Sequence, residues 1–389
     1  MAILNALHII NLTEEGAVAA MHPVPGMLVD IFENDEVDYW LLPVDNGLSI
    51  TNSVITNIIP DDILSRIRTG SIFLLMSNMF EAFTDLVDPI YTEIVYKLAI
   101  PEDNILLLSG TPDIIDIVRR VSIERCKKEI KVAWVIPFLK GIPNQIRKTY
   151  SGTSFSNRTQ TKFNKKFINF GGRWRLHRPA LVALLLAKNL LDYGYVSLFE
   201  HDDHMNWNKI WKILIDHHRL NSIAFQLLEE NKEKIINLPP QYIDTVKLTP
   251  EHIGMYYQSM STYYNDTYFS VVSETNYYTT GSFISTRCLT EKTLKPIAYG
   301  HPFIILGPPG TLRLVRQLGF KTFSPCINES YDEELDDIKR MLMIVDEIER
   351  LCKLEGDALS EFLVISAAIC NHNYAVFMDP RIQNIILLN

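Results

Sequence analysis

The chain has 389 residues, 47% of them hydrophobic, and its 46 acidic and 37 basic side chains give a formal net charge of −9. This length is long for one domain and natural for two, the apolar content suffices for packed cores, and the acidic balance by itself speaks against nucleic acid as a partner. Five scattered cysteines without C-x-x-C spacing argue against a disulfide framework or a zinc site and favour a reducing compartment.

Neither the opening residues nor the apolar runs carry a targeting or membrane signal. The start, MAILNALHIINLTEEG, lacks the basic segment and the cleavage site of a secretory signal peptide. Uncharged apolar runs such as LVALLLA are far shorter than the ~18 residues that a membrane span needs. We therefore expect a cytoplasmic protein without a membrane partner, in the host cytoplasm if the chain is viral.

The first half of the chain alternates predicted strands with predicted helices. Strands are expected at VDYWLLPV, SIFLLMSN, ILLLSG and EIKVAWVIPF. The segments DLVDPIYTEIVYKL and TPDIIDIVRRVSIERCK have the spacing of amphipathic helices, and Thr111 is the expected N-cap of the second. Apolar strands that alternate with helices predict a parallel sheet with both faces covered, hence an α/β fold.

A polar segment over residues 147–166 shows neither helix nor strand periodicity and precedes a second β–α unit. There KFINF is a predicted strand, GGRWRLHRP a loop and ALVALLLAKNLL a helix. The chain is therefore predicted to contain two domains, residues 1–160 and 161–389, with a C-terminal helix that packs back on the first domain. The acidic run Asp332–Asp337 is expected to be the solvated start of a helix.

Residues 270–307 are the most informative block, and they predict a strand, a loop, a helix and a second strand. Glu274 ends the first strand, Glu291 and Lys292 open the helix, and Lys295 follows one turn later. Helix N-termini attract phosphate, and a lysine there adds positive charge. A carboxylate at the same place accepts both hydroxyls of a ribose. An ordinary αβ unit with solvated charges is the alternative interpretation.

The order strand–Glu, T-E-K, a helix with a Gly turn and P-F-I-I-L-G-P resembles the donor-site signature of GT-B glycosyltransferases. It is similar in particular to the α1,3-fucosyltransferase type, F-E-N…Y-I-T-E-K-L…A-L-x-A-G-x-V-P-V-V-L-G. This resemblance implies two Rossmann-like domains that face a cleft, and a UDP- or GDP-sugar as co-substrate with no metal or other cofactor. It assigns ribose contact to Glu291 and phosphate contact to Lys292, and it places Glu274 near the sugar. Thr275 and Cys288 depart from the family pattern, so the nucleotide and the sugar stay open.

The loop after KFINF resembles the strand-end loop of the second GT-B domain, where arginine points at the donor diphosphate. Arg173, Arg175 and Arg178 are the candidates, because a guanidinium group donates two hydrogen bonds to phosphate. Gly171 and Gly172 would let the backbone approach the phosphates closely. For any single arginine, simple solvation at the surface is the alternative.

Basic residues are concentrated in one part of the sequence. Residues 130–191 contain twelve Lys or Arg and no Asp or Glu, with aromatic residues interleaved, as in a site for a polyanion. A solvated linker is the alternative. The side chains expected to grip the phosphates of double-stranded DNA are Arg147, Lys148, Arg158, Lys162, Lys165 and Lys166.

An inverting sugar transfer needs a general base in the acceptor-side domain, at the carboxyl end of a parallel strand. Glu81 is the first candidate because it follows the longest apolar strand, and Asp45 after VDYWLLPV is the second. Carboxylates and imidazoles also cluster in Glu200–His204, where we weigh a divalent cation against a polar loop and favour the loop.

The resemblance to GT-B enzymes implies a glycosyltransferase that moves a sugar from a nucleotide-diphosphate sugar to a hydroxyl group, with inversion at the sugar. The chain also resembles glycosyltransferases of large tailed phages, some of which add sugars to hydroxymethylated bases, so such a base in DNA is the leading acceptor. A glycan or a lipid-linked sugar is the second choice of acceptor. A nucleotide- or nucleic-acid-binding protein without catalytic activity is the alternative from another class.

Overall fold

The computed structural model describes residues 39–43, 59–78, 85–134, 136, 139, 162–171, 175–198, 207–218, 222–239, 262–279, 286–379, 382 and 387–388. The chain forms two compact units, Met1–Lys140 with Gln383–Asn389, and Gly141–Ile382. The predicted boundary between residues 160 and 161 falls within a segment outside the described residues. Both units are built on parallel strands connected through helices, so the predicted α/β class is confirmed.

The sheet of the N-terminal unit has the strand order β1-β2-β3-β4-β9. Its strands are β1 Tyr39–Pro43, β2 Phe73–Asn78, β3 Ile105–Ser109, β4 Lys131–Trp134 and β9 Leu387–Leu388. The first four are parallel, and β9 pairs with β4 in the antiparallel sense. The chain therefore returns to the N-terminal sheet as a strand at its C-terminal end.

Helical segments of the N-terminal unit cover one face of this sheet. They are α1 Asp61–Arg68, α2 Val87–Pro89, which continues as a π-helical segment Ile90–Lys97, and α3 Ile114–Glu124. Their buried side chains pack with alternate residues of the strands, for example Trp40, Leu74 and Leu107. Helix α3 begins later than predicted, because the Thr111 hydroxyl accepts a 3.2 Å hydrogen bond from the N–H of Asp113 in a turn before the helix.

The sheet of the C-terminal unit is fully parallel over its described strands, in the order β6-β5-β7-β8. These strands are β5 Phe167–Phe170, β6 Gly194–Ser197, β7 Phe269–Ser273 and β8 Phe303–Leu306. The chain runs from β5 outward to β6 and then returns to the other side of β5 to form β7. The strand order thus reverses between β5 and β7, and open α/β sheets bind ligands beyond the carboxyl ends of the strands at such a reversal. We call this place the switch point.

The helices of this unit are α4 His177–Ala187, α5 Trp207–His218, α6 Ser222–Glu230, α7 Lys232–Ile236, α8 Glu291–Ala298, α9 Thr311–Gln317, α10 Asp337–Cys352 and α11 Gly356–Met378. After His177 and Arg178 at its start, helix α4 is apolar on every side, and Leu186 is its only residue that is not buried, as expected of a helix inside a core. Among the described helices, none has both the length and the apolarity to cross a membrane. All five cysteines are free thiols.

Candidate functional site

Strands β5 and β7 part from each other before they reach their carboxyl ends. They pair only at Phe167 with Phe269 and at Ile168 with Ser270. Beyond these pairs the buried amide of Asn169 replaces the backbone hydrogen bonds. It donates to the carbonyl oxygen of Val271 at 2.7 Å and to the hydroxyl of Ser273 at 2.9 Å. The two strands thus separate at the switch point. There the chain leaves β5 toward α4 and leaves β7 toward α8.

Glu274, the first residue after β7, has a completely buried side chain. One carboxylate oxygen accepts hydrogen bonds from the N–H of Thr290 at 3.1 Å and the hydroxyl of Thr293 at 2.6 Å. The other accepts from the hydroxyl of Thr290 at 2.7 Å and the N–H of Thr275 at 3.2 Å. A carboxylate has about four acceptor positions, and here the protein fills them. Glu274 therefore ties the end of β7 to the start of α8.

Helix α8 starts at an N-cap threonine directly before the predicted glutamate and lysine. The backbone of Thr290 is extended and its hydroxyl accepts a hydrogen bond from the N–H of Lys292, as an N-cap requires. The ammonium group of Lys292 lies 2.8 Å from a carboxylate oxygen of Glu291, 3.3 Å from the Thr290 hydroxyl and 3.4 Å from the Thr275 hydroxyl. Hydrogen bonds thus hold four residues in place at the start of α8, namely Thr275, Thr290, Glu291 and Lys292.

Glu291 and Lys292 are the accessible charges of this cluster, with 29% and 23% of their side chains exposed. Burial raises the pKa of Glu291, but the positive charges of Lys292 and Lys295 outweigh it and lower the pKa to about 2. Glu291 is therefore ionised at neutral pH and remains an acceptor. Lys295 is buried one turn into the helix, where its charge reaches the helix start.

The start of α4 reaches the same strand end from the other side of the switch point. Nε2 of His177 lies 2.9 Å from the carbonyl oxygen of Glu274, and its ring stacks on Tyr277 with a centroid distance of 5.4 Å. Burial, followed by the charges of Arg178 and Arg175, holds the pKa of His177 well below its ordinary value. The ring is therefore neutral at neutral pH, and Nε2 carries the proton because a carbonyl oxygen only accepts.

The three candidate arginines do not share one environment. Arg178 is buried, and its guanidinium group donates at 3.2 Å to the carbonyl oxygens of both Ser273 and Glu274. These two hydrogen bonds stabilise the end of β7. Arg175 is exposed at the edge of the switch point. Arg173 lies outside the described residues.

Gly171 has a structural reason to be glycine. A Cβ atom at this position would lie 2.7 Å from the carbonyl oxygen of Ser197, and the N–H of Gly171 donates to the same oxygen at 3.1 Å. Close pairing of β5 with β6 requires the glycine, so its presence is explained without a bound phosphate. Gly172 lies outside the described residues.

A buried ion pair anchors the loop that leaves β7. Arg340 lies 2.7 Å from Asp337 and donates at 2.8 Å to the carbonyl oxygen of Tyr277, and its guanidinium carbon lies 4.4 Å from the Tyr277 ring centroid. The Asp337 carboxylate accepts from the N–H of Thr279 at 3.1 Å. Asp337 is only 7% exposed, and Asp332 is 4% exposed. The run Asp332–Asp337 does lead into a helix, since α10 begins at Asp337, but the prediction that the run is solvated is wrong for Asp332 and Asp337.

Asp332 occupies the start of α9. Its two carboxylate oxygens accept from the N–H of Leu312 at 2.8 Å and the N–H of Arg313 at 3.2 Å. A helix start that is already capped by a carboxylate has its free N–H groups satisfied. The described helix starts that face the switch point with accessible charge are accordingly those of α4 and α8.

The basic stretch divides between two edges of the C-terminal sheet. Lys165 and Lys166 directly precede β5, so they lie at the amino ends of the parallel strands, whereas Arg175 and Lys292 lie at the carboxyl ends. Nζ of Lys165 donates to the carbonyl oxygen of Asp192 at 2.5 Å, and Nζ of Lys166 lies 5.8 Å from the ring centroid of Tyr268. A single surface for diphosphate and DNA does not include these two lysines, because a strand separates them from the switch point.

The remaining candidates for DNA contact are placed as follows. Lys162 is exposed, three residues before Lys165. Arg147, Lys148 and Arg158 lie outside the described residues.

The candidate general bases Glu81 and Asp45 also lie outside the described residues, as does Glu200–His204. Within the described part of the chain, no group of three or more His, Cys, Asp or Glu side chains is arranged to hold a metal ion.

Sequence reasoning missed several residues of this cluster. Thr290 had a local signal, since a threonine before an apolar-periodic segment marks an N-cap. Thr293 and His177 lie next to residues that were singled out, but nothing local predicts that they bond to Glu274. Arg340 is far away in the sequence and has no local signal at all.

The charges gathered at the switch point leave an excess of positive charge. The cations at the starts of α4 and α8 are Arg175, Arg178, Lys292 and Lys295, and the carboxylates are Glu274 and Glu291. The side chains of Glu274 and Arg178 are buried within the protein, whereas Arg175 is exposed and Lys292 and Glu291 are partly exposed. Two cations and one carboxylate at two helix starts suit an anion that also carries hydroxyl groups. No family model matches the chain, and no curated protein matches it.

Proposed function

We propose that the protein is a nucleotide-sugar-dependent glycosyltransferase of the GT-B type and that its C-terminal unit binds the donor at the switch point. The observation that carries the proposal is the convergence of two helix starts on the carboxyl ends of β5 and β7, with Arg175 on one and Glu291 and Lys292 on the other. Helix starts and cations together favour a diphosphate, and the strand reversal supports a ligand at this edge.

The accessible side chains suit the two halves of a nucleoside diphosphate. Lys292 and Arg175 would carry the phosphates, and their charge would stabilise the leaving diphosphate when the sugar departs. Glu291, ionised at neutral pH, would accept hydrogen bonds from the ribose hydroxyls. Lys295 would add charge from within the helix. The donor is a UDP- or GDP-sugar, and no other cofactor is part of the proposal.

A thermal-stability screen tests the donor site. The unfolding of the wild-type protein is followed with UDP, GDP and their sugars, because a ligand at 100 times its dissociation constant stabilises the folded state by about 2.7 kcal/mol. Glu291→Ala and Lys292→Ala should each weaken donor binding by about 1.5–3 kcal/mol while the fold survives. Lys353→Ala, which removes an exposed lysine paired with Glu349, is the matched control. Equal affinity in all three variants would rule out the assignment.

The chemical step is tested by hydrolysis and transfer of the sugar. A binding protein without catalytic activity would hold the nucleotide sugar and release none of the sugar, even with excess donor. Glu81→Gln is expected to abolish transfer and preserve donor binding, because the general base acts only on the acceptor hydroxyl. Normal turnover of this variant together with an inactive Asp45→Asn would move the role to Asp45.

We further propose a hydroxymethylated base in double-stranded DNA as the acceptor, with the base extruded from the stack to expose its hydroxyl. What supports it is the run of basic residues with no acidic residue over 130–191. Because Lys165 and Lys166 lie at the far edge of the sheet and Lys162 is only three residues before Lys165, the contacts fall to Arg147, Lys148 and Arg158.

A gel-shift titration at two salt concentrations, with hydroxymethylated and plain duplexes, decides the acceptor. Each phosphate contact should add about −0.9 to the slope of log K against log salt. Absence of binding to both duplexes at low salt would favour a glycan or a lipid-linked sugar as acceptor.

A further inference from the structure

Thr290 lies between a buried negative charge and the lysine that is proposed to bind phosphate. Its hydroxyl oxygen is 2.7 Å from Glu274 Oε2, 3.3 Å from the backbone nitrogen of Lys292 and 3.3 Å from Nζ of Lys292. The hydroxyl has one proton and two lone pairs, and an ionised carboxylate only accepts. The proton of Thr290 therefore goes to Glu274, and its lone pairs receive both nitrogens of Lys292.

This direction of hydrogen bonding links Glu274 to Lys292. A hydroxyl that donates to a carboxylate is polarised, and the hydrogen bonds that it accepts become stronger. We propose that Glu274 is a positioning residue, which acts through Thr290 to fix the start of α8 and to direct the ammonium group of Lys292 at the diphosphate. This inference rests on the function proposed above, and it gives Glu274 no contact with the sugar.

Three features of Glu274 support this role over that of a sugar ligand. The side chain is completely buried, and its oxygens already accept from four donors of the protein. Its carbonyl oxygen also receives His177 at 2.9 Å and Arg178 at 3.2 Å, so one residue fixes the starts of both α4 and α8. A sugar hydroxyl would have to displace one of these internal hydrogen bonds.

The linkage also explains why a carboxylate is needed and an amide would not serve. In Glu274→Gln, one oxygen becomes an NH2 group that donates toward the threonine hydroxyls. At the Oε1 position this NH2 group would oppose the N–H of Thr290, and at the Oε2 position it would oppose the N–H of Thr275. At the Oε2 position the Thr290 oxygen would also face three donors with two lone pairs, and Lys292 would lose one of its hydrogen bonds. A purely structural tie between β7 and α8 would lower stability in this variant but would not change how Lys292 meets an anion.

The test is a double-mutant cycle on Thr290 and Lys292 with inorganic pyrophosphate as the probe. Affinities of wild type, Thr290→Val, Lys292→Met and the double variant are measured by calorimetry, well below the melting temperature of every variant. Each single substitution should weaken pyrophosphate binding about tenfold or more, and the double variant should bind no more weakly than Lys292→Met. Thr290→Ser keeps the hydroxyl and should restore the wild-type affinity.

A second variant separates positioning from loss of stability. Tyr268→Phe removes a buried hydrogen bond of 2.5 Å to the carbonyl oxygen of Leu351, beyond the amino end of β7. It should lower the melting temperature and keep the wild-type affinity for pyrophosphate, whereas Glu274→Gln should lower both.

The outcomes of these experiments distinguish a failure of the positioning role of Glu274 from a failure of the donor site. Fully additive effects of Thr290→Val and Lys292→Met, or wild-type affinity in Thr290→Val, would overturn the positioning role and leave the donor site standing. If the wild-type protein binds no pyrophosphate, UDP or GDP, the donor site is wrong and the positioning role falls with it.

Discussion

The side-chain amide of Asn169 donates a 2.7 Å hydrogen bond to the carbonyl oxygen of Val271, across the gap where β5 and β7 part. One side chain thus does the work of the backbone hydrogen bonds that the two strands no longer make. Because β5 and β7 lead into α4 and α8, this bridge sets the distance between the two helix starts. A buried side chain that links two strands is in this way part of the geometry of the site.

Replacement of Asn169 should therefore be costly. Asn169→Ala leaves a buried carbonyl oxygen and the Ser273 hydroxyl without their donor, which should lower the free energy of unfolding by about 1–3 kcal/mol. Urea denaturation measures this change in the free energy of unfolding. The control is Asn237→Ala, which removes an exposed amide that donates to the carbonyl oxygen of Glu233 at 2.7 Å and should cost about 0.5 kcal/mol or less. Equal losses in both variants would contradict the bridging role of Asn169.

Substitution of Arg178 should lower stability, whereas substitution of Arg175 should lower nucleotide binding. Arg178→Ala removes a buried guanidinium group that donates to two carbonyl oxygens, so it should lower the free energy of unfolding by about 1.5–3 kcal/mol. Arg175→Ala should change stability by no more than about 0.5 kcal/mol, since the side chain is exposed. It should instead weaken nucleotide binding and slow turnover. The pattern is contradicted if Arg175→Ala is the destabilising variant and Arg178→Ala folds normally.

His177 should make stability depend on pH. Its pKa in the folded protein lies well below the ordinary value of 6.5, mainly because of burial. Below pH 6.5 the unfolded chain therefore binds a proton that the folded chain does not bind. Its contribution to stability is complete above pH 6.5 and is lost as the pH falls, by up to about 1.4 kcal/mol per pH unit. His177→Gln keeps a donor for the Glu274 carbonyl oxygen but does not titrate.

The measurement is the difference in melting temperature between wild type and His177→Gln from pH 5 to pH 8. The two curves should run parallel above pH 6.5, and the wild type should lose stability faster below it. Burial raises the pKa of Glu329 and of Asp332, and these effects are present in both proteins and cancel in the difference. Parallel curves over the whole range would mean that the pKa of His177 is not lowered in the folded protein.

Lys165 and Lys166 should not matter for the donor. They lie at the amino ends of the strands, so replacing both with Ala should leave the dissociation constant of the nucleotide within about twofold, far less than the tenfold that corresponds to 1.4 kcal/mol. Lys292→Ala is the positive control in the same titration. A loss of nucleotide affinity in the double variant as large as in Lys292→Ala would place the diphosphate at the wrong edge of the sheet.

The sequence predicts the elements that carry the site, because their signals are local. The strand before Glu274, the helix start at Glu291 and the strand of residues 303–306 are all found where apolar runs and a helix-start pattern indicated them. The same reasoning could not separate Arg175 from Arg178, since one is exposed and the other buried only through contacts with β7.

The basic stretch shows why local sequence patterns could not predict the rest of the site. Lys165, Arg175 and Lys188 are near in sequence, but a β–α unit carries the chain along β5 to the carboxyl edge and back along α4. Lys188, just after α4, is held by Asp346 and Glu349, each at 2.6 Å. Basic residues that form one run in the sequence are thereby distributed over two edges of a sheet and are partly neutralised by a distant helix.

A crystal structure of the protein with a bound nucleoside diphosphate, UDP or GDP, would show directly whether the donor binds at the switch point. We expect the diphosphate beyond the carboxyl ends of β5 and β7, with a phosphate oxygen within hydrogen-bonding distance of Lys292 Nζ and a ribose hydroxyl at Glu291. Glu274 should keep its hydrogen bonds to Thr290 and Thr293. A diphosphate bound at the amino ends of the strands, beside Lys165 and Lys166, would contradict it.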